Sequence, residues 1–249
     1  MTEAFITHKN SLSAAHTEQL PRDAATMIIV DDSNGEAKVL MGRRRLDQVF
    51  MPGMFVFPGG RVDAADQDVY SADELGEEEV LKLLHDMKGQ PSKRRARAIA
   101  LAAIREVFEE TGIVIGHRTD AVEISLCPGW EDFFATGFRP ILSPMSFFAR
   151  AITPPGKPRR YDTRFFCLTA RHIGVDTGQR DQELSEIGWY TISESFNLDL
   201  PLITRRILED LSAQLAVAPL GTQSHAAHYY IPDRGRFQYE AIDVSLPVG

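Results

Sequence analysis

Nine residues, Arg105-Glu106-Val107-Phe108-Glu109-Glu110-Thr111-Gly112-Ile113, constrain this chain more than any others. Each residue of an α-helix turns by about 100°, so glutamates at i, i+3 and i+4 share one face. Leu101, Ile104 and Phe108 recur at helical spacing on the opposite side, and Gly112 supplies a stop. The pattern predicts a helix from Lys93 or Ala96 to Thr111, with one side buried against a sheet and Glu106, Glu109 and Glu110 on the other. Glu106 and Glu110 are like charges at i, i+4, which is mildly unfavourable in an isolated helix, so the cluster needs a compensating cation. Hard carboxylate oxygens suit Mg²⁺ or Mn²⁺. Arg105, four residues before Glu109, can hold one of the carboxylates in place.

A helix of this kind needs a core to pack on. The 249 residues, 43% of them apolar, fit one large domain with elaborations. The net charge of −8 excludes a general nucleic-acid or anionic-membrane surface and leaves room for a local basic pocket. Cys127 and Cys167 are too few for a disulfide framework and lack metal-ligand spacing, which fits a reducing cytoplasm. The first residues carry no extended apolar run, so neither a signal peptide nor a membrane span is expected, and Pro247-Val248-Gly249 is no peroxisomal tripeptide. No repeat or heptad run is present.

Residues 1–22 read as an N-terminal arm, 23–218 as the domain and 219–249 as a C-terminal tail. Ala25 to Val30 and Ala37 to Gly42 flank a turn-rich stretch and predict a β-hairpin, with Arg43, Arg44 and Arg45 at its end as a solvated charge run, a phosphate or nucleotide contact being the alternative. Val56-Phe57 is a short strand feeding Pro58-Gly59-Gly60, read as a tight turn whose glycine carbonyls are candidate metal ligands. Ser71-Ala72-Asp73-Glu74 reads as a capping box opening a helix with Val80, Leu83, Leu84 and Met87 on its apolar face, and Glu77, Glu78 and Glu79 on a solvated one. Trp130 suits either base stacking or the core. Tyr161 to Ala170 is an alternating strand. Arg159, Arg160 and Arg164 are candidates for contacts to an anionic substrate, a salt bridge to Asp162 being the competing role. Residues 199–215 form an amphipathic helix, and the spacing of His225 and His228 is weak evidence for zinc.

The helix pattern R-E-apolar-x-E-E-x-G-apolar, preceded by a glycine pair, resembles the signature of the Nudix hydrolases, which cleave diphosphates linked to another moiety. With five residues intervening after the glycine, the signature has a glutamate, where this chain has Asp66 after Gly60. Arg105 follows after 38 intervening residues instead of seven, an insertion of 31. The resemblance implies an α/β Nudix fold, a mixed β-sheet sandwiched between helices, with a helical insertion at about 67–97. It implies a catalytic set of Arg105, Glu106, Glu109 and Glu110, with Arg105 structural in its role. It further implies Mg²⁺ or Mn²⁺ bound by Gly59, Gly60, Glu106, Glu109 and Glu110, and water as the nucleophile. Glu183 and Glu186, shortly before Trp189, fall where the family places a further ligand or general base.

Residues 50–66, read as F-M-P-G-x-x-V-F-P-G-G-x-x-D-A-A-D, and 158–166 also resemble the coenzyme A and acyl-coenzyme A diphosphatase branch. The histidine-containing stretch that other coenzyme A-cleaving members carry before F-P-G-G is missing. The implied partner is a small diphosphate, with no nucleic acid or membrane, and a homodimer stays open. A non-catalytic nucleotide-binding module, and an enzyme acting on ADP-ribose or another nucleotide sugar, are the alternatives. The insertion is expected to cover the metal-binding face.

Overall fold

The central strand of the computed structural model, which describes residues 20–119, 127–157, 159–178, 181–221, 225–233 and 236–244, is β1 (Arg22–Asp31). Its near-continuous apolar sequence follows from burial on both faces. Ala25, Met27 and Ile29 enter one core cluster, and Ile28 and Val30 enter another on the far side. A turn returns the chain as β2 (Lys38–Arg44), antiparallel to β1 with Val30 opposite Val39, which is the expected hairpin. Two short strands follow: β3 (Phe55–Val56) on β2 and β4 (Gly59–Arg61) on the other end of β1.

After a 3₁₀ turn at Ala64–Asp68, α1 (Glu77–Leu84) and the long α2 (Lys93–Thr111) lie on one side of the sheet. Ser92 caps α2 by accepting from the Arg95 N–H at 3.1 Å, and Gly112 ends it at φ 75°, a left-handed conformation that glycine adopts without penalty. Then come β5 (Ile113–Arg118), α3 (Glu131–Ala135), β6 (Phe138–Pro140), β7 (Ser146–Ile152), β8 (Tyr161–Thr169), β9 (Ile173–Asp176) and β10 (Leu184–Thr191). The chain continues through α4 (Ile192–Ser195), α5 (Leu202–Val217), β11 (Ala227–Asp233) and β12 (Arg236–Ile242). The large sheet runs β10-β2-β1-β8-β7-β11-β12, with β1 parallel to β8 and β7 parallel to β11, and the small one runs β6-β5-β9. Phe166 and Leu168 of β8 face the α2 side, whereas Phe165 and Cys167 face Ile207, Leu208 and Leu211 of α5. A mixed sheet is thus held between helices.

Three sequence readings change. No helix starts at Ser71: α1 begins at Glu77, and Ser71 and Glu74 instead accept hydrogen bonds from Arg97 on α2. Of the acidic start of α1, Glu77 is exposed as expected, but Glu78 and Glu79 are partly buried around Lys82, which also donates to the His225 carbonyl at 2.9 Å. Burial pushes the Glu79 carboxyl up, against the pull of Lys82. Residues 227–233 and 236–242, within the segment read as tail, are strands of the main sheet. The N-terminal arm lies outside the described residues up to 19, as do parts of the C-terminal segment. No described helix is long and apolar enough to cross a membrane.

Candidate active site

The two halves of the acidic motif meet where β4 runs beside α2. Gly59 and Gly60 form a strand rather than the expected tight turn, and neither has a positive φ. Close approach is what demands glycine here. A Cβ on Gly59 would stand 2.6 Å from Thr26 Cα, and one on Gly60 would fall on the Glu106 carboxylate. The Gly59 N–H donates to Glu110 Oε2 at 2.9 Å, tying strand to helix.

The 3₁₀ turn after β4 drives Asp66 inward. Asp66 is fully buried and accepts from Arg105 Nε at 3.0 Å, Arg105 Nη2 at 3.2 Å and Trp130 Nε1 at 2.9 Å. The shorter side chain therefore still orients the arginine, and Trp130 is a core residue rather than a stacking platform. Arg105 also donates to the Arg61 carbonyl at 2.8 Å, to Glu106 Oε1 at 3.0 Å and to Glu109 at 3.1 and 3.2 Å. Burial works against its charge, but Asp66, Glu106 and Glu109 outweigh that and hold it protonated. It is a positioning cation, with its guanidinium spent on protein partners.

One guanidinium does not balance this many carboxylates. Burial, with Glu109 and Glu183 nearby, pushes Glu106 up to about 7 in spite of Arg105. Glu109 is raised by burial too, and Glu110, behind them, is raised well above the usual carboxylate range by burial and by Glu106. Glu110 Oε1 is buried with no hydrogen-bond partner among the described residues. An orphaned buried carboxylate oxygen beside two destabilised carboxylates is a donor set that fits a hard divalent cation. Among the described residues no three acidic, histidine or cysteine side chains converge as ligands, and Arg105 Nη1 donates to both Glu106 and Glu109.

Glu106 and Glu109 open onto a cleft of about 670 Å³. Asp63, Asp181 and Glu183 extend its acidic side, while Arg22, Arg44, Arg61, Arg159 and Arg160 supply cations, with Phe50 and Tyr161 between. Asp181 escaped the sequence reading; its N–H donates to the Glu109 carbonyl at 2.7 Å, and burial raises its carboxyl. Of the other candidates, Glu183 lies in the cleft wall and Glu186 does not. A bulge in β10 turns Glu186 to φ 49° and onto Arg43 at 3.0 Å. Arg159 and Arg160 reach the cleft, but Arg164 is 1% exposed and bound to Asp23 at 2.8 Å and Asp162 at 3.2 Å, so it is a structural residue. The alternation of β8 sends it inward, as the salt-bridge reading required. Arg44, placed in a solvated run by sequence, faces the cleft and donates to the Phe50 carbonyl at 2.9 Å. No residue of 67–97 lines the cleft, so the insertion does not cover the acidic face; it packs α1 against α2 and β7 instead. His228 pairs with Asp210 at 2.7 Å rather than with a second histidine.

Among solved structures, a Nudix hydrolase from Alicyclobacillus acidocaldarius is 24% identical, with a TM-score of 0.59 over 82% of this chain and 98% of that one. Weaker similarity links the Nudix domain of Shewanella oneidensis NrtR complexed with ADP ribose (10% identity, TM-score 0.45, 79% and 90% covered). A MutT protein from Methanosarcina mazei Go1 is similar at 15% identity and TM-score 0.44, with 79% and 99% covered. No protein-family model and no curated protein matches the chain. The fold is that of the Nudix hydrolases.

Proposed function

We propose that this chain is a divalent-metal-dependent hydrolase that cleaves the P-O-P linkage of a nucleoside diphosphate derivative. The observation that carries the reading is the unpartnered, buried Oε1 of Glu110 behind Glu106 and Glu109, at the foot of a cleft that also holds arginines. Glu106, Glu109 and Glu110, with the glycine carbonyls of β4 beside them, would hold Mg²⁺ or Mn²⁺, which when bound neutralises diphosphate charge and acidifies water. Arg159 and Arg160 bind phosphate oxygens from the other wall, guanidinium geometry being suited to two oxygens at once. Arg105 and Asp66 hold the glutamate face in register. Glu106 or Glu183 takes the proton from the attacking water, so no covalent residue is needed.

Within that class, coenzyme A and its acyl thioesters are the substrates to test first, on the resemblance of 50–66 and 158–166 to that branch. The experiment incubates the protein with coenzyme A, acyl-coenzyme A, ADP-ribose and dinucleoside polyphosphates in Mg²⁺ or Mn²⁺ and identifies products by mass. Coenzyme A is expected to give a phosphopantetheine species and adenosine 3',5'-bisphosphate, with turnover lost in Glu109→Gln and Glu110→Gln. Undiminished turnover in both variants would overturn the metal assignment. Tight nucleotide binding without any product would establish a binding module instead.

A further inference from the structure

The cleft continues into a second cavity of about 410 Å³ with a hydrocarbon wall, built from Val49, Val56, Phe57, Ile152, Phe165 and Ile203. Thr26, Arg44, Phe50, Gly59, Arg159 and Thr163 line both spaces. Apart from Thr153, Lys157 and Thr204, the polar side chains of the apolar cavity are those it shares with the cleft. Gly59 is also the residue whose N–H holds Glu110, so the apolar space begins beside the acidic cluster. Val49 on its wall is 67% exposed, and Leu202, next to Ile203, is 59% exposed, leaving large apolar surface in water around it.

A sugar placed in such a cavity would exchange hydrogen bonds to water for hydrocarbon, and each hydroxyl left unpaired carries its full desolvation penalty. An aliphatic group gains instead, by roughly fourfold in affinity for each methylene buried, the equivalent of ~0.8 kcal/mol. We infer that the group esterified to one end of the substrate's diphosphate is aliphatic within a few bonds of the phosphate, and that this cavity seats it. The inference rests on the diphosphate-cleaving reading and narrows it: Arg159 and Gly59 mark the boundary, with phosphates on one side and hydrocarbon on the other. The shared chemistry occurs in straight alkyl esters and in the branched, dimethyl-bearing arm of coenzyme A.

The test compares adenosine diphosphate alkyl esters from methyl to octyl, coenzyme A and ADP-ribose, by kcat/KM in Mn²⁺ and by calorimetric affinity in EDTA. ADP-ribose is expected to be at least tenfold poorer than the better of the octyl ester and coenzyme A. A rise of roughly fourfold per methylene assigns the cavity to straight chains, whereas coenzyme A ahead of every ester assigns it to the branched arm. Val49→Asn, at an exposed position, and Ile203→Asn are expected to shrink the preference over ADP-ribose in proportion to the chain buried. ADP-ribose handled as well as both the octyl ester and coenzyme A would overturn the inference. The ranking kept in EDTA, with no compound hydrolysed in Mg²⁺ or Mn²⁺, would uphold the cavity's role and remove the hydrolase reading alone.

Discussion

Two ionic clusters are buried at the sheet, and they differ in balance. Around Arg105, one guanidinium faces Asp66, Glu106 and Glu109, with Glu110 behind. Between β1 and β8, Arg95, Arg150 and Arg164 surround Asp23 and Asp162: Arg150 grips Asp162 at 2.7 and 2.8 Å, and Arg95 grips Asp23 at 2.6 and 2.9 Å. Burial opposes the charge of Asp23, yet Arg95 and Arg164 still hold it below the usual carboxylate range. The glutamates of the first cluster move the opposite way. The closed, cation-rich network stabilises the Asp23 carboxylate and keeps its spare donors, Arg164 Nε and Nη2, away from the cleft. An anion-rich one that opens on a cleft stores an unmet demand for positive charge, and that demand marks the place to look for chemistry.

Removing a carboxylate is the severest way to separate the two. Glu106→Gln is expected to lower kcat by three orders of magnitude or more, about 4 kcal/mol, with a thermal midpoint at or above that of the parent protein. Steady-state rates and calorimetry check both halves, and a large loss of stability would make the clusters alike. Arg150→Met is expected to do the reverse. Breaking a buried pair costs on the order of 3–5 kcal/mol, read from the denaturant midpoint, while turnover per folded molecule stays as it was. Mn²⁺ at a hundred times its Kd should then stabilise the protein by about 2.7 kcal/mol. The gain should persist in Arg150→Met and collapse in Glu110→Gln; equal gains in both would detach the metal from the glutamate cluster. Smallest, Arg159→Ala is expected to raise KM about tenfold, roughly 1.4 kcal/mol, with little change in kcat. A matching fall in kcat would move this arginine from binding to the reacting atoms.

Periodicity made α2 and its glutamates legible, and counting from Gly60 found the place of Asp66. What such patterns miss is partnership across the chain. Arg159, Arg160 and Arg164 carry the same chemistry in sequence; the salt bridge from Arg164 to Asp162 is a local alternative, and Asp23, 141 residues away, is the partner no local pattern supplies. Asp181 had a faint signal, lying just ahead of a strand that pairs with Arg44, but nothing local placed it against Glu109. The strand at 236–242 alternates, but 227–233 carries two adjacent tyrosines and a proline, and its attachment to β7 depends on a parallel neighbour that no hairpin rule supplies.

The link between Asp66 and Arg105 has a consequence for how freely the intervening chain can change. Thirty-eight residues separate the pair, against seven in the family signature. Loop-closure entropy rises only logarithmically, so the lengthening costs about 1.5 kcal/mol. The Arg105 fork on Asp66 and the Gly59–Glu110 hydrogen bond join the halves directly in space. The acidic face is therefore held together by contacts in space rather than by closeness in sequence, so the length of the segment between its halves can change while that face keeps its shape.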